Sequence, residues 1–266
     1  MIRLLPCCVL LLFSFPILAA PSSQYWALWD KSDNSSKKVI NHESWQSILN
    51  DYLLVQAYGS SFKYGKISKD DDKKLDDYIR QMTSIDPRQY NKAEQKAYWI
   101  NLYNALTVDL IIENYPVQSI TKIGSWFSFG PWDEVITEVA SQDLTLNDIE
   151  HRILRPLWND KRIHYAVNCA SQGCPDLASK AYTGANVEQL LEEQAERFIR
   201  QEKGVSWVDG KLILSRIYEW YSTDFGNNSE LMAHISKYST GNQKRRLLKY
   251  TGVSGFQYNW NLNEYK

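Results

Sequence analysis

The stretch from Asn91 to Tyr115 constrains this chain more than any other. Ala97, Ile100, Leu102, Ala105, Leu106, Val108, Leu110 and Ile111 recur at helical spacing, yet they cover much of the circumference. A helix that is apolar nearly all round must be surrounded by other elements, so the pattern predicts a fold built about a buried central helix. Pro116 cannot continue the backbone hydrogen bonds and ends it. Asn101 and Asn104 lie one turn apart on this helix, flanked by Tyr98 and Tyr103. Buried amides of this kind tie down neighbouring loops, or orient a histidine or donate to an oxyanion. Asn104 is a catalytic candidate on the second account, and Asn101 a binding candidate.

The elements around that helix are mixed. Trp45 to Leu53 and Lys69 to Met82 read as amphipathic helices. Gly124 to Trp132 is a loop with four large aromatic residues, of which Trp126 and Trp132 are candidates for a ligand-cleft wall. Glu134 to Ala140 alternates as a strand. A helix begins at Thr145 with Asn147 as its cap and closes at Pro156. Glu150 and His151 are neighbours on it, a quarter-turn apart, and are expected to find separate partners. Ile163 to Val167 reads as a short strand carrying His164. Asn186 to Gln201 is a charged amphipathic helix, and Val205 to Leu214 is a hairpin turning on Asp209-Gly210. Three short helices (Ser215 to Tyr221, Ser229 to Tyr238, Gln243 to Tyr250) and a last strand (Phe256 to Leu262) follow. No repeat or composition break is visible, so residues 40–266 are expected to form one helix-rich α+β domain with a small antiparallel sheet.

At 266 residues and 44% hydrophobic, the chain suits one large domain or two small ones. Residues 1–20 have a basic start, an apolar run from Leu4 to Leu18 and a small-residue close at Ala19-Ala20, the pattern of a secretory signal peptide. Residues 21–39 read as a polar tail. The protein is thus expected to be exported, periplasmic or secreted, with no membrane span after signal cleavage. A net charge of −1 and the lack of a long basic block argue against nucleic acid. No Gly-rich phosphate loop is present, and no cofactor is expected. The expected partner is a peptide, cell-wall or small-molecule ligand.

Five ordered motifs carry a family resemblance. They are Tyr98-Trp99-Ile100-Asn101-Leu102-Tyr103-Asn104-Ala105, Ile149-Glu150-His151-Arg152-Ile153-Leu154-Arg155, and Arg162-Ile163-His164-Tyr165-Ala166 through Cys174-Pro175. Trp220-Tyr221 with Asp224-Phe225, and Tyr258-Asn259-Trp260-Asn261-Leu262-Asn263, complete them. Together they resemble the domain-of-unknown-function family 547, found in bacteria and as a C-terminal domain in some plant proteins. The resemblance spans roughly residues 40 to 264. Asn259 stands where the family more often has Asp. The resemblance implies a site in which Glu150, His151 and the two asparagines neighbour the His164–Cys174 segment, with Arg155 beside them as a binding residue.

Cys7 and Cys8 fall in the leader, so export leaves Cys169 and Cys174 in an oxidising compartment. Three readings of that pair stand. The first is a Cys169–Cys174 disulfide that shapes the loop of a binding module. The second is a cysteine-dependent hydrolase or acyltransferase acting on amide or ester bonds. Cys174 would be its nucleophile, His164 its base, and Glu150 or Asn104 the group orienting the imidazole. The third is a zinc site from His151, His164, Cys169 and Cys174, whose residue types suit zinc although the spacing fits no common finger.

Overall fold

The computed structural model describes residues 21–124, 129–250 and 252–265. Its elements begin with α1 (Glu43–Tyr52), β1 (Leu53–Gln56), β2 (Gly59–Phe62), α2 (Lys69–Thr83) and α3 (Lys92–Glu113). The hairpin β3 (Thr137–Val139) and β4 (Gln142–Leu144) leads into a π-helical turn (Asp148–Leu154), continued by α4 (Arg155–Trp158). A 3-10 helix (Lys161–Tyr165), α5 (Val187–Arg200), β5 (Val205–Val208) and β6 (Lys211–Ser215) follow. The chain ends through α6 (Ile217–Trp220), α7 (Ser222–Phe225), α8 (Asn228–Tyr238), α9 (Gly241–Leu247) and β7 (Gly255–Gln257). This is a helix-rich α+β fold with small sheets.

Helix α3 is central because its middle is enclosed on every side. Every residue from Glu94 to Val108 is buried. Asn91 caps it, accepting from the Ala93 and Glu94 amides. Around α3, the residues of α1, α2, the π turn and the 163–182 segment form one hydrophobic cluster. A second lies between α5, the β5–β6 hairpin and α6 to α8, centred on Tyr165, Phe198, Tyr218 and Phe225. Each such fully buried large side chain stabilises the fold by about 2–3 kcal/mol. Tyr165, on the 3-10 helix, belongs to the second cluster while Ile163 belongs to the first.

The sheets follow the local turn chemistry. β5 and β6 pair antiparallel with Val208 opposite Lys211, leaving Asp209 (φ 49°) and Gly210 (φ 75°) as a two-residue loop. Both angles are positive, as a type I′ turn requires. β7 joins β6 in parallel. The expected terminal strand therefore contracts to Gly255–Gln257.

Three expectations are corrected. The strand at Ile163–Val167 is a 3-10 helix over Lys161–Tyr165, started by Asp160, whose carboxylate accepts from the Arg162 amide. All six residues from Ile163 to Asn168 are buried, so there is no in-and-out alternation for a half-buried strand to use. The 145–158 helix is capped by Thr145, not Asn147: the Thr145 hydroxyl accepts from the Asp148 amide, and the Asp148 carboxylate accepts from the Thr145 amide. Pro156 does not end that helix, because it sits in the first turn of α4, just past the π turn; the end comes at Asn159 (φ 45°). Residues 21–39 are largely exposed but touch the core at one place. Trp29 is 1% exposed and meets Trp99 edge-on at 5.0 Å, while the Lys31 carbonyl accepts from Gln95 Nε2. Trp26 and Leu28 pack beside it on the same cluster. The expected leader at 1–20 lies outside the described residues.

Candidate functional site

The π turn carries Glu150 and His151, and its wider winding lets both side chains converge where a quarter-turn offset was expected to part them. Glu150 Oε1 lies 3.9 Å from His151 Nδ1 and 3.9 Å from His164 Nδ1. The phenols of Tyr103, from α3, and Tyr221, from the α6–α7 junction, lie near Glu150, and burial together with its charge holds both well above the ordinary phenol value. Burial opposes the Glu150 charge. The imidazoles of His151 and His164, the Tyr221 hydroxyl and Arg155 outweigh it, so the carboxyl lies below its ordinary value.

Behind this carboxylate stands a second one. Asp224 Oδ2 accepts from His164 Nε2 at 2.8 Å and from Arg155 Nε at 2.7 Å, and Oδ1 accepts from Arg155 Nη2 at 2.9 Å. Burial works against its charge, and these partners hold it well below the usual carboxylate range. Arg155 Nη1 also faces His151 Nδ1 at 3.1 Å and donates to the Pro21 carbonyl at 2.7 Å. A guanidinium only donates, so His151 Nδ1 must accept and the proton of the neutral ring sits on Nε2. Burial lowers the His151 pKa and favours that neutral form. His164 stacks on the Tyr221 ring, centroids 4.0 Å apart, and its Nδ1 has no hydrogen-bond partner. The result is an imidazole oriented by a carboxylate, with one ring nitrogen uncommitted.

The two α3 asparagines serve the loops. Asn101 brackets Tyr182 through both its carbonyl and its amide, and Asn104 does the same across Ala166 and Asn168. Both amides thus pin backbone, and the group holding His164 is Asp224.

Cys169 and Cys174 form a disulfide with Cα atoms 6.1 Å apart. Cys174 is 4% exposed, and Cys169 is the more accessible of the two. The Tyr258 hydroxyl sits 3.0 Å from Cys169 Sγ and 2.9 Å from Ser171 Oγ. The loop they close is laddered to the chain end: Gln172 donates to Asn261 O and Gly173 to Asn259 O, both at 2.8 Å. A Cβ on Gly173 would fall 2.7 Å from the Asn259 nitrogen, so only glycine allows this approach. Beyond the loop opens a cleft of about 500 Å³, lined by Tyr58, Ser61, Gln172, Lys203, Tyr258 and Asn259 among others. Lys203 is paired with the buried Asp176 at 2.6 Å.

Of the sequence candidates, Glu150, His151, Arg155 and His164 come together in one buried cluster. Cys169 and Cys174 lie in the adjoining loop. Trp132 packs on the first hydrophobic cluster and against Phe129 and Trp260. Trp126 lies outside the described residues. Asp224, Tyr221 and Tyr258 entered the family motifs without a role, and their signal was a charged or phenolic residue held among aromatics. The cysteines are joined to each other. Among the described residues, no group of three or more His, Cys, Asp or Glu side chains is disposed to hold a metal ion.

Fold and site define a helix-rich α+β protein with a buried carboxylate–imidazole–guanidinium cluster behind a disulfide loop. Residues 87–199 match the model of the family described as "Protein of unknown function, DUF547". That segment holds α3, the π turn, His164 and both cysteines, whereas Tyr221, Asp224 and Tyr258 lie beyond it. No curated protein and no solved structure matches the chain. No helix among the described residues is long and apolar enough to cross a membrane.

Proposed function

We propose that this is an exported, disulfide-stapled module that binds a peptide, cell-wall or small-molecule ligand. One observation carries the reading: the loop closed by Cys169 and Cys174 forms a wall of the 500 Å³ cleft. A short covalent ring restricts that wall before any ligand arrives, which reduces the ordering cost of binding. Pairing of the two cysteines also suits an oxidising compartment. The test is calorimetric titration of the oxidised protein with tetrapeptides and neutral oligosaccharides, repeated with Ser61→Arg, which fills the cleft. Binding that Ser61→Arg weakens at least tenfold supports the module, and an oxidised protein that binds no member of either panel ends it.

A second reading, thiol-dependent acyl transfer, is favoured by His164, whose imidazole is held by Asp224 with Nδ1 uncommitted. It requires the reduced protein, with Cys174 as nucleophile. Hydrolysis of an ester and peptide panel that appears on reduction and vanishes in Cys174→Ser supports it. Hydrolysis unchanged in that variant removes it.

A further inference from the structure

Five aromatic rings form a contiguous patch on the surface with Trp260 at its centre. Phe129 is 47% exposed, and Trp132, Trp260, Trp220 and Tyr258 are each partly exposed. The Trp260 centroid lies 5.3 Å from Phe129, 5.7 Å from Trp132, 5.5 Å from Trp220 and 4.6 Å from Tyr258. Trp132 and Trp260 pack on the first hydrophobic cluster, and Trp220 and Tyr258 on the second. The patch therefore crosses the seam between the two cores, and it meets the cleft at Tyr258.

Tyr258 is pinned from behind: its hydroxyl is engaged by Cys169 and Ser171, so what it offers outward is ring carbon. Beside the patch, Gln172 and Asn259 hold each other at 2.9 Å, and Asn261 is exposed. Side-chain amides both donate and accept, which matches hydroxyl groups that do the same. Among the described residues lining the cleft, Lys203 alone is charged, and it shares the buried Asp176 carboxylate with Arg197.

Resting on the binding-module reading, we propose that the ligand is an oligosaccharide whose sugar rings lie on the aromatic patch centred on Trp260. The C–H groups of a pyranose face are weakly positive and complement the negative face of an aromatic ring. The flanking amides then read the equatorial hydroxyls.

Tryptophan fluorescence titration of the oxidised protein with chitohexaose and cellohexaose, alongside a proline-rich and a mixed tetrapeptide, tests this. The expected result is saturable quenching by at least one hexasaccharide, weakened tenfold or more in Trp260→Ala and restored in part by Trp260→Tyr. Phe129→Ala, at a half-exposed position with little bearing on folding, should weaken binding severalfold with an unchanged circular dichroism spectrum. Peptide binding without saccharide binding overturns the glycan assignment and leaves the module standing. Saccharide binding indifferent to Phe129→Ala and Trp260→Ala overturns the aromatic patch as the site, and no binding by either class overturns both.

Discussion

Asp224 holds His164 by Nε2 at 2.8 Å and leaves Nδ1 turned toward Glu150 at 3.9 Å. The same carboxylate grips Arg155, whose side chain is only 3% exposed. Removing Asp224 would leave a guanidinium and an imidazole buried without their anion. Asp224→Ala should therefore cost about 3–5 kcal/mol, the range for breaking a buried pair, and Asp224→Asn less. Urea denaturation measures it, and a loss below about 1 kcal/mol would mean that other groups carry the Arg155 charge.

Burial holds His42 and His234 at about 4, against an ordinary value of 6.5. Between those values the unfolded chain binds protons that the folded one refuses. Stability should then fall as the pH drops from 6.5 to 4, by up to about 1.4 kcal/mol per unit for each histidine, and level off below. Thermal melts across pH 7.5 to 3.5 follow this. In His42→Gln the slope should be shallower, and an unaltered slope would contradict a buried, neutral His42.

Asp109 shows the opposite sign. Burial, with Glu113, Asp76 and Asp72 adding repulsion, raises its carboxyl to about 7. Above that pH the folded state carries a charge it disfavours, while near pH 4 the group is neutral when folded. Asp109→Asn should stabilise the protein by about 1–2 kcal/mol at pH 8, with the gain shrinking toward pH 4. Equal melting shifts at both pH values would count against this account.

The sequence displayed its scaffold more openly than its site. α3 was legible because an apolar circumference has one structural solution, and the Asp209-Gly210 hairpin because its turn demands those residues. The strand at 163–167 was misread because a short, mostly apolar run is compatible with either periodicity; the distinguishing signal was Asp160, a helix-start residue. The convergence of Glu150 and His151 depends on a π turn that no local propensity announces. Asp224 lies 60 positions from His164, so their pairing exists only once the second cluster packs against the first.

Replacing both cysteines with serine should cost about 2 kcal/mol, the loop-entropy value for so short a ring. Gly173→Ala acts on the same wall by a different route, pushing the loop off Asn259, and should cost about 1–3 kcal/mol. Hydrogen exchange separates the two changes. Faster exchange at the Gln172 and Gly173 amides is expected first in Gly173→Ala, and full protection there would show that the ladder tolerates a methyl group.

The 255–265 segment has a bearing on the order in which the fold closes. Asn263 donates to Ala170 O and accepts from the Phe62 amide, and its side chain bonds Tyr64, 199 positions earlier. Helices such as α2 and α3 rest on local contacts and can form early. The disulfide loop is held by Asn259 and Asn261, and the cleft is walled by Gln257, Tyr258 and Asn259, so both wait on contacts from far along the chain. This corner is therefore the last to close, and a lesion in either the 62–64 or the 257–263 segment opens it from both sides.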